Sequence, residues 1–362
     1  VTLKKNKTAT TTLNTNLQIR RSAWLVALAL AGMALFPAPN ASAGLPQTPQ
    51  EYQQAGKGKL EVLHVQGNVY VIAGAGANIT VQVGDLVTIV VDSGVPEKSE
   101  EVLAAIRSIT DKHILFIINT SADPDHTGGN HVLSQAGWAL PDAGLNPLRQ
   151  ANGSMPAGAS IIAHINVLNR MSAPTGKEPA APENTWPTDT YETDSWRLYN
   201  GEGVFIYHPP NAHTDGDSYV LFRKSDVVSV GDIFTLASYP VIKADQGGGI
   251  NGLIDALNDV IALLEPRDNE EGGTYVIPGH GHICDRHDVV NYRDMVTIIR
   301  ARIQNLINKG MTLDQIKSAQ TTVDYDGLYG KTSGPWTTDM FVEAIYNDLS
   351  KNKTQQKAVG GR

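Results

Sequence analysis

The chain has 362 residues, 41% of them hydrophobic and 18% charged, with a formal charge of −8 at neutral pH. That length and apolar fraction suffice for one large buried core without disulfide support, and the acidic balance argues against a nucleic-acid partner, whose binding needs a basic surface. A single cysteine, Cys284, excludes an intrachain disulfide and a thiolate metal cluster, so any metal would have to take imidazole and carboxylate ligands, which turns attention to the ten histidines.

Residues 1–43 read as an export signal: Arg20-Arg21, an apolar run from Ala23 to Phe36, and Ala41-Ser42-Ala43 before Gly44. The run is shorter than the roughly 20 residues that span a bilayer, so a membrane anchor is the lesser reading. The expected mature protein is periplasmic or secreted, without stable membrane insertion. The arginine pair invites a twin-arginine route, although Ala23 and Trp24 stand where that signal usually carries a bulky apolar pair. Residues 44–59 form an N-terminal extension in this reading.

From Leu60 the pattern is β-rich, with strand-like runs at Leu60 to Val65, Val69 to Ala73, Asn78 to Val83 and Leu86 to Val91, the last ending at Asp92-Ser93-Gly94. A helix is predicted from Lys98 to Ser108. The continuous apolar run His113 to Asn119 then suits a strand buried on both faces. Asp142 to Ser160 is predicted as a loop insertion, and the proline-rich stretch Ala173 to Thr193 as an exposed loop near a site mouth or a linker. Strands resume at Trp196 to Leu198, Val204 to His208, Tyr219 to Arg223, Val227 to Val230 and Thr274 to Ile277. Helices are predicted over Gly249 to Leu264 and Asp288 to Asn308, with Thr312 as the N-cap of another. The division is a domain over 60–310 and a C-terminal helical extension and tail over 311–362.

Five segments carry carboxylate or imidazole where a strand hands over to a loop: Asp92, Asp123 to His126, His213 to Asp217, Gly231-Asp232, and Pro278-Gly279-His280-Gly281-His282. A divalent ion needs several hard or borderline ligands held by rigid elements, and strand ends supply them. Taken alone, Asp123 to His126 reads first as a turn whose acids cap a helix, and Asp215 and Asp217 read equally as a solvated acidic turn.

In this order the segments resemble the metallo-β-lactamase-fold superfamily over roughly Leu60 to Tyr292. The family's first motif is H-x-H-x-D-H; here the aligned stretch is Ser121-Ala122-Asp123-Pro124-Asp125-His126, followed by Thr-Gly-Gly-Asn. The resemblance implies an α/β fold, an αββα sandwich of two mixed sheets flanked by helices. It implies metal ligands at Asp123, Asp125, His126, His213, Asp232 and His280, with Ser121 as a variant ligand position. It implies one set at Asp125, His126, Asp232 and His280, and a weaker set at Ser121, Asp123 and His213 with Asp232 bridging. Zinc, one or two ions, is the expected cofactor; the extra carboxylate of Asp123 makes iron or manganese the alternative. Asp125 is the expected catalytic residue, orienting a metal-activated water for hydrolysis of an ester, lactone, thioester or β-lactam carbonyl in a small-molecule substrate. Asp92, Asp215, Asp217 and His282 are candidates for backing a ligand, and Lys243 with Gln246 to Gly249 lies where relatives often bind substrate. The alternatives are a degenerate fold kept for binding and a di-iron oxidoreductase, although no flavin-binding module is found. The remaining histidines read as ordinary surface or core residues, and Cys284 as a small buried filler.

Overall fold

The computed structural model describes residues 59–138, 158–174, 180–269 and 272–359, with side chains described through Lys351. The expected signal over 1–43, and most of the extension and of the loop insertion that follows Asp142, lie outside the described residues.

Seven strands form the first sheet, in sequence order: β1 (Glu61–Gln66), β2 (Val69–Ala73), β3 (Ile79–Val83), β4 (Thr88–Val91), β5 (Ile114–Ile118), β6 (Ser160–His164) and β7 (Asp189–Tyr191). The pairs from β1 to β4 are antiparallel, and those from β4 to β7 are parallel. The second sheet has the order β12-β11-β10-β9-β8, from β8 (Ser195–Tyr199), β9 (Glu202–Tyr207), β10 (Tyr219–Phe222), β11 (Val227–Gly231) and β12 (Tyr275–Pro278). It is antiparallel except for the parallel pair β11 and β12.

Alternation along the strands sends successive side chains to opposite faces. Ile89 and Val91 of β4 pack between the sheets with Val204, Ile206, Val220 and Phe222, while Val90 between them joins the outer layer. That layer sets β2 to β6 against α1 (Ser99–Ile109) and α3 (Asn130–Ala136), where Val102, Leu103, Ile106 and Leu133 are buried. On the other side, Val228, Val230 and Val276 meet α5 (Ile250–Leu263) and α6 (Arg286–Asn308). Each fully buried aliphatic side chain contributes about 1.5–3 kcal/mol of burial free energy. The result is a helix–sheet–sheet–helix sandwich.

Two short helices, α2 (Pro124–Thr127) and α4 (Ile165–Met171), flank the site, and the chain ends with α7 (Leu313–Ser318), α8 (Asp326–Tyr329) and α9 (Thr338–Val359) among the described residues. Thr312 caps α7 with a reciprocal capping box, and Asp285 does the same for α6. Ile316 of α7 and Phe341, Val342, Ile345 and Leu349 of α9 share one core with α5 and α6, so residues beyond 310 are packed into the sandwich's outer layer. The stretch predicted as a loop over Ala173 to Thr193 contains the edge strand β7, paired in parallel with β6. At three residues it is too short to show an alternating pattern in sequence.

Parallel neighbours end on the same side of a sheet. The carboxyl ends of β4 and β5, and those of β11 and β12, therefore deliver Asp92, the 119–126 segment, Asp232 and His280 to one edge of the sandwich.

Candidate metal centre

The centre is built around His126, which is fully buried on α2. Its Nδ1 donates to Asp92 Oδ2 at 2.7 Å, while Thr120 donates to the same carboxylate through its Oγ1 at 2.7 Å and its backbone N at 2.8 Å. Asp92 adopts φ 62° to face this way, a conformation that aspartate tolerates better than most residues. Because Nδ1 is committed to Asp92, Nε2, 3.4 Å from Asp232 Oδ2, is the nitrogen that would be offered to an ion. His280 Nε2 lies 3.5 Å from Asp232 Oδ1 and 3.3 Å from Asp125 Oδ2. Asp125, His126 and His280 each place a ligand atom within 4.8 Å of the others. His126 Nε2 and Asp232 Oδ1 are buried with no hydrogen-bond partner, which is costly for polar atoms unless a cation sits between them. Two imidazoles and two carboxylates are an N2O2 donor set suited to zinc, iron or manganese, so this set fits a divalent ion.

Two glycines leave room for the side chains of Thr120 and Asp232. Gly231 adopts φ 52°, and a Cβ there would come 2.5 Å from Thr120 Oγ1. At Gly279 a Cβ would sit 2.3 Å from Asp232 Oδ1 and 2.8 Å from the Gly231 carbonyl carbon.

Charge follows the same geometry. Burial opposes ionisation of the His126 ring, but Asp92 and Asp232 outweigh it and hold its pKa well above the ordinary 6.5. His280 is likewise raised against burial by its bond to Asp125 and the charge of Asp232. Burial pushes the Asp232 carboxyl up, yet the charges of His126, His280 and His213 hold it well below 3.8. Asp125 is also lowered, against burial, by His280 and His126. The carboxylates stay ionised and draw protons onto the imidazoles, and a cation that bound here would displace those protons and take over their charge.

A second group lies alongside. His213 donates from Nδ1 to Val241 O at 2.7 Å and sets Nε2 3.0 Å from Asp123 Oδ2 and 3.8 Å from Asp232 Oδ2. Burial lowers the His213 pKa, but the bond to Asp123 and the charge of Asp232 raise it to about 9. The Lys243 ammonium donates to the other oxygen, Asp123 Oδ1. Asp123 is 8% exposed, and its carboxyl is held far below 3.8, with His213 and Lys243 overcoming burial. The carboxylate does not cap α2, as the helix-turn reading would have it.

Several residues singled out in the sequence sit elsewhere. Ser121 is buried, but its hydroxyl accepts from Asp123 N at 3.2 Å, a local turn bond. Asp215 and Asp217 do not back a ligand imidazole as expected: Asp215 pairs with Arg170 at 2.6 Å, and Asp217 accepts from Thr214 N and Oγ1. The position behind His213 belongs to the Val241 carbonyl, because a backbone acceptor on a neighbouring loop reaches Nδ1 first. His282 bonds through Nδ1 to Ile283 O and lies in neither group. Cys284 is buried, and burial raises its thiol pKa. Thr120 and the Val241 carbonyl are roles that the sequence did not reveal; a hydroxyl immediately before the acidic motif was the available hint for Thr120. Beside Asp123 and Lys243 opens a cavity of about 580 Å³, whose apolar wall includes Pro96, Ala122, Pro124, Met171 and Pro182.

The sandwich, with acid and imidazole side chains gathered at its strand ends, defines an αββα protein with a candidate site for a divalent metal. The model of the metallo-beta-lactamase superfamily matches residues 64–280, and the chain belongs to that superfamily. Among solved structures, a metallo-beta-lactamase from Pontibacter korlensis is 15% identical at a TM-score of 0.49, over 66% of this chain and 99% of that one. A stereoselective inverting sec-alkylsulfatase from Pseudomonas sp. is 14% identical at a TM-score of 0.54, over 83% of this chain and 54% of that one. This chain thus aligns with about half of the alkylsulfatase, and the likeness is one of fold. No curated protein matches the chain. Among the described residues, no helix is long and apolar enough to cross a membrane.

Proposed function

We propose that this chain is a metal-dependent hydrolase of small molecules with an electrophilic carbonyl, an ester, lactone, thioester or β-lactam, and that it works in the periplasm or outside the cell. The observation that carries the reading is the pair of buried atoms His126 Nε2 and Asp232 Oδ1, which make no hydrogen bond and have only long ion-pair contacts, beside the ligand atoms of Asp125 and His280. A scaffold kept for binding alone has no use for polar atoms desolvated without partners.

Asp125, His126, Asp232 and His280 would hold the ion, with zinc the first choice for a set of two imidazoles and two carboxylates. A divalent ion held there would supply the acidity that makes water a competent nucleophile at neutral pH and would polarise a carbonyl. Asp92, held by Thr120, takes the Nδ1 proton of His126 and so reserves Nε2 for the ion. Asp125 is 31% exposed at the mouth of the group and remains ionised, so its carboxylate can orient the attacking water and take a hydrogen bond from it. The cavity bordered by Asp123, Pro124 and Lys243, next in sequence to Asp125 and lined in part by apolar side chains, would receive the acyl or leaving portion of the substrate.

The test is a panel of chromogenic esters, thioesters, lactones and β-lactams, assayed with chelator-treated protein before and after zinc, manganese or iron(II) is restored. Turnover that appears only on restoration, and is lost in Asp125→Asn, supports the reading. Turnover that survives chelation, or no turnover on any class, overturns it.

A further inference from the structure

The two ligand groups differ in a way that their shared residue types conceal. In the His126 group, Nε2 of the ring and Oδ1 of Asp232 are buried without a hydrogen bond, and their ion-pair contacts, at 3.4 and 3.5 Å, lie within the group itself. In the His213 group both carboxylate oxygens of Asp123 are already engaged, Oδ2 by His213 Nε2 at 3.0 Å and Oδ1 by the Lys243 ammonium. The third donor that family geometry would place there, Ser121, spends its hydroxyl on the Asp123 N–H.

Lys243 is delivered to this position by fixed backbone rather than by a wandering side chain. Its N–H donates to His213 O at 3.0 Å, and its carbonyl accepts from Gln246 N at 2.8 Å and Gly248 N at 2.9 Å. The loop that carries the ammonium is therefore tied to the histidine it would compete beside. An ammonium bonded to a mostly buried carboxylate repels a divalent ion brought to the same oxygens, and it repels most where water is scarce. Asp123, His213 and Asp232 lie close enough together to ligate an ion. With Lys243 in place they do not fit one.

We infer that this chain holds a single ion, at Asp125, His126, Asp232 and His280, and that Lys243 is a tethered cation standing in for the ion of the other group. The inference rests on the metal-dependent reading above and adds which site is filled and what neutralises the second. Lys243 also lines the cavity, so the charge that it keeps at Asp123 remains within reach of a substrate.

The test is metal content of the purified full chain after zinc loading and removal of excess metal, read by elemental analysis for wild type, Lys243→Met, Lys243→Arg and Asp123→Asn. The expected result is about one ion per chain in wild type, Lys243→Arg and Asp123→Asn, and about two in Lys243→Met, where Asp123, His213 and Asp232 become free to ligate. Should Lys243→Met fail to fold, Asp123→Asn decides: an unchanged ion supports the assignment, and a lost ion places it in the His213 group instead. Two ions in wild type, or one in a folded Lys243→Met, overturns the role of Lys243 while leaving a metalloprotein. No ion in any variant overturns the metal-dependent reading itself, and this inference with it.

Discussion

Replacing Asp92 by asparagine tests the arrangement behind the metal ligands at its most constrained point. Asp92 is 1% exposed and accepts three hydrogen bonds, from Thr120 N, Thr120 Oγ1 and His126 Nδ1, at 2.8, 2.7 and 2.7 Å. Asparagine is nearly isosteric and keeps an acceptor for the Thr120 N–H. Its amide NH₂, however, then faces His126 Nδ1 and turns that atom from donor into acceptor. The ring proton moves to Nε2, the atom meant for the metal. A charge-assisted bond of this kind contributes about 1.5–3 kcal/mol, which as a loss of metal affinity corresponds to about 10–100-fold. Titration of the metal-free protein against a chromogenic chelator of known affinity reads the change, and circular dichroism reports whether the fold is retained. An affinity within about twofold of wild type in a folded Asp92→Asn would refute the tautomer argument, since twofold is only about 0.4 kcal/mol.

Three further outcomes follow from the same geometry. Gly279→Ala, whose Cβ would press on Asp232 Oδ1 at 2.3 Å, should weaken metal binding about tenfold or more in the same chelator titration with the fold intact; unchanged affinity would mean that Asp232 moves without cost. In metal-free protein, His213 has a pKa raised from 6.5 to about 9, so its stabilising contribution is complete below about pH 6.5 and is lost as pH climbs through 9. Asp123 and Asp232, held below 3.8, stay ionised throughout that window. Thermal melts of the metal-free chain should accordingly fall in Tm from pH 6.5 to 9.5, and a flat or rising Tm would count against the assigned pairing. Asp285→Ala removes the capping box of α6 and should cost about 1 kcal/mol in denaturant unfolding, with no change in metal content.

Much of the sandwich was readable because its strands are either continuous apolar runs, such as Ile114–Ile118, or runs bounded by glycine and asparagine turns, such as Val69–Ala73. The short elements were not. β7 draws its existence from pairing with β6, and α2 is a single turn set by Pro124, so neither carries a periodic signal. At the site, acid and imidazole at strand ends were visible as a pattern, and a family resemblance ordered them. What could not be read is long-range pairing. Lys243 meets Asp123 across 120 residues, and Val241 meets His213 across 28 through a backbone carbonyl that has no sequence signature. Asp217 looked like the natural support for His213 because it is near in sequence, yet its own turn at Thr214 claims both carboxylate oxygens. Local hydrogen bonds that close a tight turn cost little chain entropy, so nearby acids are commonly absorbed this way.

The central claim is that Asp125, His126, Asp232 and His280 form a working ligand set for a divalent ion. The most direct measurement is a crystal structure of the zinc-loaded protein with diffraction data collected on both sides of the zinc absorption edge. An anomalous peak is expected within about 2.0–2.2 Å of His126 Nε2, His280 Nε2 and carboxylate oxygens of Asp125 and Asp232. A peak lodged instead between His213 and Asp123, or no anomalous density near His126 in a protein soaked with excess zinc, would contradict it.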